Sequence, residues 1–427
     1  MPRTVHIIGA GLAGLSAAVR LATPDHRVVV HEATAFAGGR CRSYHDASVG
    51  MTIDNGNHLL LSGNHAALEF LRTIGSEHRL IGPAAAEFPF LDLKSRARWT
   101  LRLDDGRLPL WIFDSGRRVP GTRALDYVAM ARLLWPNPEK TVGETIASKG
   151  ALYSGLIEPL LLAALNIDPP QGSASLAAAV FRETLAAGGR ACRPLIARDG
   201  LAPTLIEPAL DYLRGRGVQI RLEHQLRAMR FEGGRVAALD FGDETVALSE
   251  ADAVILAVPP YAAASLVPGL TVPNEFRAIV NAHFRFAPPV AQPPILGIIN
   301  ATTQWIFAFP GRLSVTISAG DALLDTPREQ LARAIWAEVA QAAEPGAAAA
   351  DLPADLPPWQ IVRERRATFA ATAEQDKRRP GARTAWRNLV LAGDWTNTGL
   401  PATIEGAIRS GNRAAAFVSQ MQPYSDP

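Results

Sequence analysis

A glycine-rich turn close to the N-terminus constrains the fold more than any other feature of this chain. Gly9, Gly11 and Gly14 follow an apolar run at residues 5–8 and open a segment whose apolar residues recur at helical spacing. A second apolar run comes next, at residues 28–30. The order strand, turn, helix, strand predicts a βαβ unit of the Rossmann type. In such a unit the first glycine permits the tight turn, the second admits a pyrophosphate and the third lets the helix pack closely.

The residues around this turn predict a site for a dinucleotide without a 2′-phosphate. The helix begins near Leu12, so its first backbone N–H groups, those of Leu12 and Ala13 among them, would face a phosphate. Glu32 follows the second apolar run and is placed to accept hydrogen bonds from a ribose. Its negative charge disfavours a 2′-phosphate, which leaves FAD and NAD as candidates.

Two further segments favour FAD over NAD. Gly39 and Arg40 come soon after the second strand, where another contact near the phosphates would serve a longer cofactor. Gly393 and Asp394 end a short apolar run near the C-terminus, and a carboxylate there can bind the ribityl hydroxyls that NAD lacks. A helix predicted to begin near Pro401 would point its positive end beyond the ribityl chain, where it stabilises an anionic reduced flavin.

The pattern along the chain predicts an α/β fold in which a discontinuous Rossmann-type domain carries an inserted α+β domain. We expect the cofactor-binding domain to comprise residues 1–79, 196–261 and 361–427. The two remaining stretches, residues 80–195 and 262–360, are rich in proline, aromatic residues and apolar runs. They are predicted to form one substrate-binding domain that closes over the cofactor.

Composition excludes several classes of function. The net charge is +2, from 43 basic and 41 acidic residues, so no global field would attract nucleic acid. Two cysteines, Cys41 and Cys192, are too few for a disulfide framework and lack metal-ligand spacing, so we expect neither a disulfide nor a metal site. No signal peptide or membrane-spanning run is evident, which favours a cytoplasmic location.

The sequence also resembles that of a known protein superfamily over nearly the whole chain. The resemblance rests on the glycine turn, Glu32, the Gly-Gly-Arg segment at residues 38–40, residues 200–226 and 252–260, and the C-terminal run Leu-Ala-Gly-Asp-Trp-Thr-Asn-Thr-Gly-Leu-Pro-Ala-Thr-Ile-Glu-Gly-Ala-Ile-Arg-Ser-Gly at residues 391–411. These motifs resemble those of the FAD-dependent amine oxidase and phytoene desaturase superfamily. The resemblance implies FAD as cofactor. It also implies further FAD contacts from Asn55, Gly56, Leu226, Pro401, Thr403 and Ile404.

Finer features resemble one branch of that superfamily, the squalene-associated hydroxysqualene dehydroxylases of bacterial hopanoid pathways. They are the segments at residues 53–58, 303–307 and 365–372. The branch often has Gly-Gln-His where this chain has Gly56-Asn57-His58, a minor departure. The resemblance implies reductive removal of the hydroxyl of hydroxysqualene to give squalene, through loss of water and hydride transfer from N5 of reduced FAD to an allylic cation.

That chemistry needs an acid to protonate the departing hydroxyl and an apolar channel for the substrate. His58 and Asp54 are the candidate acids, although the two could equally hold a loop and cap the backbone. Trp305, Phe307 and Trp395 are candidates for the walls of the channel, where aromatic faces stabilise a cation. Core packing explains each of these aromatic residues equally well.

A long-chain isoprenoid alcohol resides in the bilayer, so the resemblance also implies contact with the inner face of the membrane. We expect peripheral attachment through residues 156–165 or 133–135, unless the leucines at residues 160–162 form a buried helix. Squalene-pathway synthases are expected neighbours. The electron donor is either NAD(P)H or a separate reductase, because no second nucleotide fingerprint appears in the chain.

Three other classes of function remain open at this point. An amine oxidase of this superfamily would use a lysine of the substrate domain near the flavin, but no lysine lies between Lys149 and Lys377. A carotenoid-type desaturase or isomerase would share the fold and the apolar channel. A flavin-binding scaffold without catalysis would leave the flavin-facing motifs without a purpose.

Overall fold

The structure is a computed structural model that describes residues 3–289, 292–342 and 355–421. Two large sheets dominate these residues, together with helices that cover them. In the described part of the chain, the strands, β1 to β20 in chain order, span Arg3–Ile8, His26–His31, Ser43–Asp46, Met51–Asp54, Leu59–Leu61, Leu80–Ile81, Glu87–Asp92, Arg98–Arg102, Pro194–Ala197, Gln219–Arg221, Ala228–Glu232, Arg235–Asp240, Thr245–Ala247, Ala253–Leu256, Phe276–Phe284, Ile295–Ile299, Trp305–Phe309, Arg312–Ile317, Trp359–Phe369 and Leu389–Leu391. The α-helices, α1 to α10, span Leu12–Leu21, His65–Thr73, Val142–Thr145, Glu158–Leu165, Ala174–Glu183, Glu207–Arg214, Pro260–Leu266, Arg328–Ala342, Ala373–Lys377 and Ile404–Gln420.

The first large sheet is parallel and has the strand order β10-β2-β1-β14-β20. Its strands are almost wholly buried, as parallel strands covered on both faces must be. The βαβ unit predicted from the glycine turn is therefore confirmed, since β1 and β2 pair in parallel with α1 between them. The order also places the strand that precedes Gly393 beside β14, so the chain returns from its C-terminal part to the first sheet.

Helices α1 and α10 pack against each other along this sheet, and small residues set their distance. A Cβ added at Gly411 would lie 2.1 Å from the backbone oxygen of Ala13 and 2.1 Å from Oγ of Ser16. The hydroxyl of Ser16 in turn donates to the backbone oxygen of Ile408. The C-terminal helix is thus locked against the helix that opens the chain.

The second large sheet is mixed and has the order β19-β15-β18-β17-β16-β7-β8. One of its faces packs on α8, through Ile306, Val315 and Trp336 among others. Strand β19 runs from Trp359 to Phe369, so it crosses residue 361, where the sequence places a domain boundary. Residues 361–369 belong to the sheet of the inserted domain rather than to the cofactor-binding sheet, because β19 pairs with β15 over its length.

The two predicted membrane-contact regions differ in exposure. Within α4 and the turn before it, Leu156, Leu161 and Leu165 are buried and Leu160 and Leu162 are half-buried, which favours the alternative interpretation of a buried helix. At the other region, Leu133 is also buried, while Trp135 is 80% exposed. Among the described residues, no helix is both long enough and apolar enough to cross a bilayer.

A row of buried histidines runs across the parallel sheet from its central strand β1, through β2, to the loop after β10. Nδ1 of His6 lies 3.1 Å from Nε2 of His31, and Nδ1 of His31 lies 2.9 Å from Nδ1 of His224. Burial lowers the pKa of His31 to about 3, and positive charge on its neighbours His6, His224 and Arg221 adds to this. His283, on β15 of the other sheet, is also buried, and burial lowers its pKa to about 3.

These two buried histidines predict that the protein loses stability in mild acid. A group whose pKa is lower in the folded state than the usual 6.5 contributes its full stability above pH 6.5 and loses it as the pH falls below that value. Each of His31 and His283 is expected to remove about 1.4 kcal/mol of the free energy of unfolding per pH unit below 6.5. Urea unfolding followed between pH 7.5 and 5 measures this slope.

A His31→Phe variant is expected to reduce that slope, because it removes one of the histidines whose pKa burial lowers. Its matched control is His45→Gln, which changes an exposed histidine. Equal slopes in the parent protein, His31→Phe and His45→Gln would show that His31 does not cause the acid sensitivity.

Candidate active site

The three glycines of the N-terminal turn differ in how much space a side chain would have at each position. Gly9 has φ +104°, and a Cβ there would lie 2.6 Å from the backbone oxygen of Ala257. A Cβ at Gly14 would lie 1.9 Å from the backbone oxygen of Gly9. Gly11 is the exception, since a Cβ there would meet no atom within 4 Å. The protein itself therefore requires Gly9 and Gly14, whereas Gly11 keeps a space open in front of the turn.

The N-terminus of α1 opens onto this space. Gly11 is its N-cap and carries no side chain, and its first turn holds no acidic residue. The first N–H groups of the helix, those of Leu12 and Ala13 included, therefore meet neither a capping oxygen nor a fixed charge from that turn. Such a helix terminus binds a phosphate through its N–H groups and its dipole. This cradle fits the pyrophosphate of a dinucleotide.

The Gly-Gly-Arg segment lies directly beside the cradle. Gly38 forms a β-bridge with Gly11, and its backbone N–H donates to the oxygen of Ala10 at 2.8 Å. Gly39 is exposed and has φ +57°, a conformation that favours glycine. Gly39 and Arg40 therefore follow a residue that lies beside the cradle, and their contact near the phosphates stays a prediction.

Arg40 joins the N-terminal segment to the C-terminal one. Its guanidinium donates to Oδ1 of Asp394 at 2.6 Å and to the backbone oxygen of Ala367 at 2.6 Å. Asp394 is buried, and the charge of its carboxylate raises the pKa of Arg40 against the opposing effect of burial. The two residues predicted to contact the phosphates and the ribityl chain thus form one ion pair across the site.

Glu32 directly follows β2, at the other side of the glycine turn. Oε2 accepts from the backbone N–H of Ala10 at 2.8 Å, and Oε1 accepts from the N–H and the hydroxyl of Thr34. These bonds hold the carboxylate at the rim of the cradle. Its hydrogen bond to a ribose stays a prediction, as does the contact of Leu226, which is buried in the loop after β10.

The C-terminal segment departs from the prediction at two residues. Helix α10 begins at Ile404 with Thr403 as N-cap, whose hydroxyl accepts from the N–H of Gly406 at 3.0 Å. Pro401 therefore precedes the helix instead of starting it, because Thr403 supplies the cap that a helix start needs. The first turn also carries Glu405, but its carboxylate accepts from the N–H groups that open α2.

Trp395 is the second departure. It is 2% exposed, its indole N–H donates to the backbone oxygen of Val258 at 2.9 Å, and a Cβ at Gly393 would lie 2.4 Å from its Nε1. The indole therefore packs behind the turn that carries Gly393 and does not line an open channel. The prediction that Trp395 contacts substrate is corrected to a supporting role for the Gly393–Asp394 turn.

Asp54 is held on every side by groups that donate to it. Oδ1 accepts from Oγ of Ser43 at 2.5 Å and from the N–H of Leu201 at 2.9 Å. Oδ2 lies 3.4 Å from the guanidinium of Arg312, and both side chains are about 5% exposed or less. Because these partners occupy both carboxylate oxygens, we assign Asp54 a structural role rather than that of proton donor.

The segment after Asp54 turns towards β15. The side-chain oxygen of Asn55 accepts from the N–H of Arg42 at 3.1 Å, which fixes the start of the loop. A Cβ at Gly56 would meet Nδ2 of Asn281 at 3.4 Å and Nε2 of His58 at 3.6 Å. Gly56 thus brings the backbone of the loop close to the imidazole of His58.

His58 is half-buried and has no fixed charged partner in direct contact. Burial lowers its pKa below the usual 6.5, against the attraction of Asp54 and a hydrogen bond to the backbone of Arg40, which raise it. Its neighbour Leu59 belongs to the same apolar cluster as Phe307 and Trp305. His58 therefore lies at the border between the Arg40 side of the site and an apolar region.

The two other predicted aromatic residues lie on one face of β17. Phe307 is buried and packs with Phe309, Ile196 and Ile295, whereas Trp305 is half-buried at the edge of the same cluster. Of these two residues, Trp305 is the one whose side chain has exposed surface that a substrate could contact.

Sequence reasoning missed the arginines that hold the site together. Arg379, which is buried, belongs to no local sequence motif. Nor does Arg312, which pairs with Asp54 across 258 residues of chain. Arg379 donates to the backbone oxygens of Asp394 and Thr396, which braces the turn after Gly393. With 43 basic residues and no motif around these two, the sequence carried no signal that could have found them.

The ion pair across the site yields a test of its own. Arg40→Gln is expected to weaken FAD retention and to lower the free energy of unfolding by about 1–2 kcal/mol, because Asp394 stays buried without its charged partner while Arg40 itself is 42% exposed. Gel filtration of the flavin-loaded protein and urea unfolding measure the two effects. The control is Arg42→Gln, at an exposed neighbouring arginine. Matching FAD retention in both variants would contradict the role given to the pair.

The comparisons with known proteins agree with this geometry. Residues 12–419 match the family of flavin-containing amine oxidoreductases. The chain is 61% identical over 419 residues to the hydroxysqualene dehydroxylase of Rhodopseudomonas palustris, which covers 98% of this chain and 99% of that protein. It is 25% identical to a probable zeta-carotene desaturase of Synechococcus elongatus, over 98% of this chain and 99% of that protein.

Among solved structures, the putative protoporphyrinogen oxidase from Exiguobacterium sp. 255-15 has the same fold, with a TM-score of 0.69 at 20% identity over 99% of this chain and 100% of that one. The chain therefore belongs to the flavin-containing amine oxidoreductase family and, within it, to the hydroxysqualene dehydroxylases. It is an FAD-dependent oxidoreductase, and the cradle at Gly11 fits that cofactor.

Proposed function

We propose that the protein removes the hydroxyl group of hydroxysqualene reductively and releases squalene. The observation that carries this proposal is the 61% identity, over almost the full length of both chains, to a protein named hydroxysqualene dehydroxylase. The carotenoid desaturase relative is far more distant, at 25% identity. The product suits a place in squalene and hopanoid synthesis, with squalene-pathway synthases as neighbours.

Reduced FAD, when bound, supplies the hydride. The C–O bond breaks as the hydroxyl takes up a proton and leaves as water, and the carbon gains the hydride, so one two-electron reduction balances the reaction. His58 is the proposed proton donor, because it is the titratable side chain at the border of the apolar cluster that contains Leu59 and Trp305. The half-buried face of Trp305 is positioned to stabilise positive charge on the substrate.

The chain also holds the cofactor's charged parts. The N-terminus of α1 and the loop at Gly39 would bind the pyrophosphate, and Glu32 the adenosine ribose. Asp394, fixed by Arg40, would bind the ribityl hydroxyls. Contacts from Asn55, Gly56, Leu226, Pro401, Thr403 and Ile404 stay part of the same proposal. NAD(P)H or a separate reductase would return electrons to the flavin.

The test starts from enzyme whose flavin has been reduced without oxygen. Hydroxysqualene is then added, flavin reoxidation is followed by absorbance, and squalene is measured by mass spectrometry. Reoxidation with an equal amount of squalene is the expected result. Reduced flavin that stays reduced, with no squalene formed, would reject the proposal.

A carotenoid-type desaturase or isomerase is the second candidate, supported by the full-length similarity to a zeta-carotene desaturase. It predicts the opposite direction of electron flow, so that oxidised enzyme would be reduced by a polyene substrate. Amine oxidation is disfavoured because no lysine lies between Lys149 and Lys377, where the inserted domain approaches the flavin in amine oxidases that use one. A scaffold without catalysis would retain FAD and never change its redox state with substrate.

A further inference from the structure

The exposed apolar side chains of this protein are concentrated in one short segment. Of the ten large hydrophobic residues exposed in the described part of the chain, six lie between residues 108 and 135. We call these six the apolar face. They are Leu108, Leu110, Phe113, Leu125, Val128 and Trp135, each at least 61% exposed. Exposed apolar residues scattered singly need no explanation, whereas six of them within one short segment are typical of an interaction surface.

The segment is held in place from its inner side. Trp111 and Tyr127 are buried and meet edge to face, with ring centroids 5.2 Å apart. The hydroxyl of Tyr127 accepts from the backbone N–H of Val119 at 3.1 Å, which ties the connecting loop to the same point. The apolar face flanks these anchors in two 3₁₀-helical turns, Leu110–Phe113 and Ala124–Leu133. The segment is therefore apolar on its buried inner side and also on its outer side, which is exposed to water.

Positive charge surrounds the apolar face. Residues 107–135 contain five arginines and two aspartates, a net charge of +3, whereas the whole chain carries only +2. Arg107, Arg123 and Arg132 are exposed. The two acidic residues are Asp114 and Asp126, whose carboxylates accept from backbone N–H groups within their own turns. An apolar surface ringed by arginines is complementary to a bilayer with anionic headgroups.

A continuous row of aromatic contacts leads from the inner side of this segment to the site. A Cβ at Gly155 would touch Val119 at 2.5 Å and Trp99 at 3.7 Å, so these two side chains meet across the glycine. Trp99 stacks on Phe90 with centroids 5.4 Å apart. Phe90 meets Trp305 edge to face at 5.6 Å.

Trp305 ends this row and packs against the same apolar cluster as Leu59, the residue that follows His58. The row therefore joins the underside of the apolar face to the proposed proton donor.

We propose that the apolar face docks on the surface of an anionic lipid bilayer and that the substrate passes from the bilayer towards His58 along this aromatic row. The docking rests on the structure alone, whereas the passage of substrate rests on the proposed function. The arginines attract the headgroups, and Leu110, Phe113 and Trp135 enter the boundary between headgroups and acyl chains.

The first test measures docking without any substrate. Flavin-loaded protein is floated with vesicles of phosphatidylcholine, with or without phosphatidylglycerol. The variant Leu110→Ser/Phe113→Ser/Trp135→Ser is expected to lose at least about tenfold in vesicle-bound fraction, since three exposed apolar side chains no longer enter the membrane. Tyr261→Ser, which changes an exposed aromatic residue outside the segment, is the matched control and is expected to float like the parent protein.

A charge variant tests the second element of the surface. Arg107→Gln/Arg132→Gln is expected to weaken binding to phosphatidylglycerol vesicles by about fivefold or more for each arginine removed, and to leave binding to phosphatidylcholine unchanged. Parent protein that fails to float with either lipid would overturn the docking proposal and leave a protein partner as the occupant of the face. Flotation of the triple variant at the level of the parent protein would overturn it too.

The second test separates docking from catalysis. Hydroxysqualene is presented to the reduced enzyme either in phosphatidylglycerol-containing vesicles or in detergent micelles. The triple variant is expected to retain turnover in micelles and to lose about tenfold in vesicles. Loss of turnover in both, with the FAD spectrum intact, contradicts delivery through the apolar face. Absence of squalene from the parent protein in both media would reject the proposed function and leave the flotation result standing.

Discussion

Gly11→Val is expected to fold like the parent protein and to lose FAD. A Cβ at Gly11 meets no protein atom within 4 Å, and the backbone of this residue, with φ −74° and ψ 175°, suits any amino acid. The substitution costs about 1 kcal/mol of stability at most, through a poorer helix cap. Against a bound pyrophosphate, however, an overpacked contact costs about 3 kcal/mol. FAD affinity is therefore expected to fall by about a hundredfold.

The measurement pairs FAD titration of the unloaded protein with urea unfolding of the same preparation. Gly14→Ala is the contrasting variant, because its Cβ would lie 1.9 Å from the oxygen of Gly9. It is expected to lose about 3 kcal/mol of stability, since the clash lies between two parts of the backbone. If Gly11→Val bound FAD as tightly as the parent protein, the pyrophosphate would not occupy the space in front of α1.

The contrast between these two glycines shows why the cofactor-binding fold could be predicted from the sequence. A βαβ unit is a local structure, and each of its requirements is carried by a residue type at a fixed spacing. The same holds for the short strand that precedes Gly393. Even there the start of the last helix was placed at Pro401 instead of Ile404, because proline and a threonine cap are both typical of a helix start.

The candidate site was predicted less completely, because its contacts join distant parts of the chain. Asp54 lies in a segment that the sequence identifies correctly, yet its role depends on Leu201 and Arg312, which no local pattern connects to it. Trp395 follows the predicted Asp394 directly, but the indole turns into the core and donates to Val258. Whether a side chain binds a ligand or packs in the core depends on its neighbours from distant parts of the chain. A single sequence does not show which residues these neighbours are.

The same reasoning separates the two candidate acids. Asp54 accepts hydrogen bonds and faces a guanidinium, so its oxygens are already engaged in a network that is almost wholly buried. His58 is under no such constraint. Burial lowers its pKa, which makes its protonated form scarce at neutral pH but strongly acidic when present. The site therefore favours His58 as a donor whose contribution increases as the pH falls.

His58→Ala is expected to slow flavin reoxidation by hydroxysqualene by about a hundredfold or more, as loss of a general acid does. In the parent enzyme, the rate should rise by about tenfold for each pH unit as the pH falls towards the lowered pKa of His58, because the protonated fraction increases in that proportion. The variant should lose this dependence. The rate and its pH dependence are both measured by stopped-flow mixing of reduced enzyme with substrate between about pH 5.5 and 8, the range in which a histidine titrates.

The FAD absorbance spectrum of His58→Ala serves as the control. It is expected to match that of the parent protein, because the side chain of Arg40 pairs with Asp394 and not with the imidazole. His58→Gln keeps a hydrogen-bonding side chain but cannot donate a proton as an acid, so it is expected to be as slow as His58→Ala. A fast His58→Gln enzyme would reassign the residue to positioning. A slow variant that retains the pH dependence of the parent enzyme would place the acid elsewhere, because the titrating group would then still be present.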